Sequence, residues 1–222
     1  MSFTGFPKEA FEFLTGLEQD NTRVYWQEHN EIWQAVIRPT MRSLMDELEP
    51  FFGPLRMYRP NRDIRFSHNK DPYKTWVGIT TQGTGPGGIG LFFAIEPHSM
   101  RMSAGSGAFA GDQIKEYRRS LDNPVAGPKF ERIISRIKQA GYTLSSGRKP
   151  PLVQMPRGYD ADHPRAAYLK WRGVVLRHQI PYEDWFGSPV VLDHIIKVWS
   201  AGLPLIEWVQ EYVGPTQLKR RR

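Results

Sequence analysis

The chain has 222 residues, 40% of them hydrophobic and 13% aromatic, which is enough to bury a core in one large domain or two small ones and too apolar for a disordered chain. Its net charge is +7, but four of the positive charges are residues 219–222, so the body carries an ordinary +3 and charge alone lends nucleic-acid binding little support. There is no cysteine, which excludes disulfides, iron–sulfur clusters, thiolate zinc sites and cysteine nucleophiles.

The first fifty residues read as helical. Pro7 suits a first helical turn after Thr4 and Gly5, and Phe11, Leu14 and Leu17 follow at helical spacing. Asn21 or Thr22 can cap a second helix carrying Trp26, Trp33, Val36 and Ile37 on one face, which Pro39 is expected to break or kink. Met41, Leu44, Met45 and Leu48 predict a third helix ending before Pro54. The middle changes character: residues 64–66, 76–81, 89–95 and 100–102 read as strands bounded by Gly and Pro, too close in sequence for crossover helices and therefore antiparallel. Helices return around residues 114–121 and 130–137, then a short one ending at Trp171 and a late strand at 174–176. Two further helices, 190–198 and 203–213, are expected on either side of Gly202 and Pro204. The fold class expected is α+β: a central, mainly antiparallel sheet covered by helices, in a single domain over residues 1–215, with 216–222 as a basic, disordered tail. The N-terminus lacks a basic stretch followed by an apolar run, and no window approaches 18 apolar residues, so neither a leader nor a membrane span is expected, and the cytoplasm is the expected location.

The run from Asn61 to Thr75 is the densest in chemistry. Arg62, Arg65, Lys70 and Lys74 surround Asp63, Asp71, His68 and Tyr73, while Ile64 and Phe66 are expected to anchor a short strand and Asp71-Pro72 to turn the chain back. Arginine gives bidentate recognition of phosphate or carboxylate and lysine a point charge, so an anion receptor is expected; a salt-bridged sheet edge is the plain alternative. The second cluster, residues 155–164, holds Arg157, Tyr159, Asp160 and His163, with Asp162 or His163 expected to cap a helix that has Pro164 in its first turn. Gly83-Thr-Gly-Pro-Gly-Gly88 spells the dinucleotide fingerprint, but strand-like residues follow it where that mechanism needs a helix, so a hairpin loop is expected. The six histidines show no metal-ligand spacing, and no metal or cofactor is expected.

At these clusters the chain resembles domain-of-unknown-function family 2461. The pattern R-F-S-x-x-K-x-P-Y-K-T stands here as Arg65-Phe-Ser-His-Asn-Lys-Asp-Pro-Tyr-Lys-Thr75, and the later block as Pro156-Arg-Gly-Tyr-Asp-Ala-Asp-His-Pro164. Phe6-Pro7, Phe13-Leu14 and Asn21-Thr-Arg-Val-Tyr-Trp26 add a third block, so the resemblance runs over about residues 3–180. The chain departs from the pattern at His68-Asn69 and in the glycine-poor stretch 100–107. The resemblance implies no activity, substrate or cofactor. It does single out Arg65, Lys70, Tyr73 and Lys74, with a partner cluster around Tyr159 and His163; together with Arg62, Arg157 and Asp160 these make one expected site for a small anionic or phosphate-bearing ligand. Two alternatives stay open: an enzyme using His163 or His68 with Asp160 or Asp63 as an acid–base pair, and a nucleic-acid-binding protein.

Overall fold

The computed structural model describes residues 2–65, 68–81 and 87–218. Helices α1 (Lys8–Gln19), α2 (Arg23–Glu28) and α3 (Asn30–Ile32) lead through a wide π turn, Trp33–Ile37, into α4 (Arg38–Phe52). Six strands follow: β1 (Leu55–Met57), β2 (Val77–Thr81), β3 (Gly90–Glu96), β4 (Ser99–Ser106), β5 (Thr143–Ser145) and β6 (Val174–Pro181). They form one antiparallel sheet in the order β1-β2-β3-β4-β6-β5. Helices α5 (Gly111–Asp122) and α6 (Ala126–Gln139) precede β5, α7 (Ala166–Leu169) precedes β6, and α8 (Val190–Tyr212) ends the chain. The architecture is α+β, as expected. Among the described residues no helix is long and apolar enough to cross a membrane.

The chain divides into two compact units. The first comprises residues up to Thr81, 92–102 and 179–197. Its core lies between α1 and one face of the sheet, where Phe6 stacks on Phe93 at 5.7 Å and Phe11 meets Tyr182 and Phe186. Register explains which residues face it: Met57 pairs with Ile79 and Ile79 with Phe93, so these three share the apolar face. Gly16 lies under the Tyr25 ring, and the Tyr25 hydroxyl donates to the Phe13 carbonyl at 3.0 Å, so α2 crosses close to α1. The second unit comprises, among the described residues, 87–91, 103–178 and 198–218. Tyr117, Phe130 and Trp208 form its centre; Trp208 packs on Phe130 at 4.8 Å and donates from Nε1 to the Ala126 carbonyl at 2.9 Å. Gly202 lets the helix lie directly on Ala104 of β4.

Four expectations are corrected. Pro39 does not break the helix: in the π turn the Arg38 amide bonds the Trp33 carbonyl five residues back, so the amide that proline lacks falls at a junction where the ladder has already shifted. The helices at 190–198 and 203–213 are one. Ile195, Trp199, Leu205, Trp208 and Val209 are all buried, and that burial outweighs the roughly 3 kcal/mol that Pro204 costs inside a helix. Residues 62–65 form no strand and Ile64 is exposed; Phe66 and Ser67 lie outside the described residues. The cause is local: the Asp63 carboxylate accepts from the Arg65 amide and guanidinium, which closes a turn instead of an alternating strand. Finally, neither Asp162 nor His163 caps α7, which is a single turn preceded by Arg165. Of the glycine-rich match only Gly87 and Gly88 are described; β3, a strand, follows them.

Candidate anion-binding site

In the first unit, the loop between β1 and β2 is closed at its base by backbone pairing. The Tyr58 amide donates to Gly78, Lys74 to Pro60, and Arg62 to Pro72, all at 2.8–2.9 Å, with Asn61 and Tyr73 in a lone antiparallel bridge. Asn21 clamps this base from the helical side: its amide side chain accepts the Tyr73 N–H at 3.0 Å and donates to the Tyr73 carbonyl at 3.2 Å. The Tyr73 ring is buried and stacks on Trp26 with centroids 4.4 Å apart. The tyrosine expected to offer a hydroxyl or a stacking face is therefore the loop's anchor.

The cations divide by what holds them. Arg62 donates from Nε and Nη2 to the Tyr73 carbonyl. Arg65 is tied bidentately to Asp63 at 2.8–2.9 Å, and this guanidinium holds the Asp63 carboxyl down at about 2. Lys70 donates to the Ile64 carbonyl at 3.1 Å, and Asn69 caps the turn by accepting the Asp71 amide. Lys74 reaches back across the loop to donate to the carbonyls of Arg59 and Asn61. Burial lowers its amine from 10.5 to about 8, and the positive charges of Arg59 and Arg62 push in the same direction. The loop thus concentrates like charges around one half-buried ammonium, an arrangement that an anion would relieve.

Beside this loop the sheet sets Tyr58 and Trp76, which are close to the cations in sequence, against Phe92, which is not. Tyr58, Trp76 and Phe92 meet edge to face at 5.2–5.9 Å, with Lys74 Nζ 5.8 Å from the Trp76 centroid. The signal was present as period-two alternation, Trp76-x-Gly78-x-Thr80 and Phe92-x-Ala94-x-Glu96, but only the sheet register puts the two runs side by side.

In the second unit, residues 155–165 fold as successive turns, the Asp160 carbonyl accepting the His163 amide and the His163 carbonyl that of Ala166. His163 Nδ1 accepts the Arg165 amide at 3.0 Å, which places the ring proton on Nε2, 3.3 Å from an Asp122 oxygen on α5. Asp122, not Asp160, is the carboxylate beside this histidine. Tyr159 is half-buried, and burial and then Asp122 raise its phenol, against the pull of Arg118 and Arg119. Arg118 is lowered by burial first and by Arg172, and donates from Nε to the Leu169 carbonyl at 3.0 Å. Arg157 and Asp160 are exposed. Arg165, absent from the expected set, is the buried member: it donates to the Leu121 carbonyl and pairs with Glu131 at 3.1 Å, locking the turns onto α5 and α6. Among the described residues no group of three or more His, Asp or Glu is placed to hold a metal ion.

No curated protein matches the chain in sequence. A solved structure described as an uncharacterized protein from Methanothermobacter thermautotrophicus is similar over 80% of this chain and 99% of its own, at 13% identity and a TM-score of 0.40. The model of the conserved hypothetical protein family DUF2461 matches residues 9–208, and the chain therefore belongs to that family.

Proposed function

We propose that the protein is a cytoplasmic binder of a small anionic or phosphate-bearing ligand, held in the first unit by the loop between β1 and β2. The supporting observation is the crowding of Arg59 and Arg62 around Lys74, whose amine is already held at about 8 by burial and by those charges. An oxyanion there takes charge-assisted hydrogen bonds from groups that otherwise repel one another. Arg62, Lys70 and Lys74 contact the ligand, Arg65 adds a rim cation, and Tyr73 sets their spacing through the backbone carbonyl that Arg62 grips. The acid–base alternative has the Asp122–His163 pair in its favour, but the Nδ1 lone pair that a base would use already accepts an amide, so binding is the better supported reading.

The test is calorimetric titration of inorganic phosphate and pyrophosphate into the full chain at low salt. Arg59→Glu with Lys70→Glu reverses two exposed charges without touching the core. The double variant should bind roughly tenfold or more weakly while melting normally. Unchanged binding by the folded variant would refute the proposal.

A further inference from the structure

We infer that the cluster of Tyr58, Trp76 and Phe92 stacks the base of a free nucleoside phosphate whose phosphate is taken by the neighbouring cations. This deepens the anion reading and rests on it, since Lys74 serves both.

The sheet builds the cluster. Arg56 pairs with Thr80 and Thr80 with Phe92, so these three point to the face opposite Met57, Ile79 and Phe93. Tyr58, two residues beyond Arg56, and Trp76, two before Gly78, fall on the same side by alternation. Gly78 makes the floor: a Cβ there would lie 3.2 Å from Trp76 Cζ3 and 2.9 Å from the Ala94 methyl, so glycine lets the indole sit low across the strands. The three rings stand at 65–74° to one another and are half-exposed. Rings packed edge to face leave no gap between them, so a flat base stacks on their half-exposed outer surface.

Charge then selects what enters. Each ring carries a cation over it: Arg56 over Tyr58 at 5.6 Å, Lys74 over Trp76 at 5.8 Å and Arg101 over Phe92 at 5.0 Å. Glu96 is committed to Arg101 at 2.9 Å and to Ser99 at 3.0 Å. The Arg101 side chain, 33% exposed, keeps a cation at the edge of the cluster where a phosphate oxygen can reach it. A planar base with an attached phosphate matches rings and cations together; inorganic phosphate uses the cations alone. The three rings pack together with centroids no more than 5.9 Å apart, a platform for one base rather than a run of them, which favours a free nucleotide over a strand.

The four ribonucleoside 5′-monophosphates, inorganic phosphate and adenosine are titrated separately into the full chain. At least one monophosphate should bind roughly tenfold or more tightly than phosphate, the gain that stacking supplies. Tyr58→Leu and Phe92→Leu, shown to be folded by their melting curves, should lose that gain and keep phosphate binding. If phosphate binds and no monophosphate binds better, the inference falls while the anion reading stands. Retention of the full gain by both folded variants also overturns it. Oligonucleotides binding with a steep salt dependence where mononucleotides do not would overturn the free nucleotide in favour of a strand. Adenosine binding as well as AMP, with no binding of phosphate, would overturn both readings.

Discussion

Lys74 gives the anion reading a proton signature. Its amine sits at about 8 in the free protein against 10.5 ordinarily, because burial and then Arg59 and Arg62 oppose its charge. A bound anion cancels the repulsion and favours the ammonium, raising the pKa. If the bound value returns above about 10, the amine is about 10% protonated at pH 9 when free and about 90% or more when bound, so binding takes up roughly 0.8 proton; at pH 7 the uptake is only about 0.1. Affinity should fall by up to about tenfold per pH unit above pH 8. Sulfate is a suitable probe because it does not titrate in this range, and calorimetry in two buffers of different ionisation enthalpy reads the proton count. Lys74→Met should abolish the difference between pH 7 and pH 9. The sign for stability is also fixed. Below about pH 8 the amine is charged in folded and unfolded chains alike and the burial penalty is constant; from about 8 to 10.5 the unfolded chain binds more protons, so the penalty Lys74 imposes is relieved as the pH rises. Equal proton uptake at pH 7 and pH 9, or an affinity flat across that range, would refute the placement of Lys74 against the ligand.

Other consequences concern the scaffold. Asn21→Ala removes both bonds that clamp Tyr73 and should cost about 1–3 kcal/mol in urea unfolding, loosening the loop. Arg165→Met leaves the Leu121 carbonyl and Glu131 without their partner and should cost about 3–5 kcal/mol, with Glu131→Gln costing far less because its carboxylate is partly exposed. Tyr117→Phe should be neutral or stabilising by up to about 1 kcal/mol in thermal unfolding, because the buried phenol finds no hydrogen-bond partner among the described residues. Gly105→Ala should prevent soluble expression: φ is +128° and a Cβ would strike the Val174 carbonyl.

The α+β architecture was legible because its signals were local. The stripe Met41, Leu44, Leu48 is buried on α4 as its spacing requires, and the closely spaced β2, β3 and β4 left no room for crossovers. Strands β1 and β5 escaped because three residues give too little alternation to read. Pro39 and Pro204 misled for one reason: local propensity is a few kcal/mol, and a π turn in one case and extensive burial in the other override it. The charge of the candidate loop was legible, since cations cluster in sequence from Arg56 to Lys74. How each cation is used was not, because that depends on partners distant in sequence, such as Asn21 on Tyr73 and Asp122 on His163. The ring cluster depends on a strand pairing that no window of sequence contains.

The central claim is that an anion seats among the cations of the β1–β2 loop. It is tested most directly by titrating phosphate into protein carrying 15N in its lysine and arginine side chains. Saturable, simultaneous shifts of Lys74 Nζ and Arg62 Nε, with one shared affinity, are the expected result. Phosphate-dependent shifts confined to other side chains, or none at any concentration reached, would contradict it.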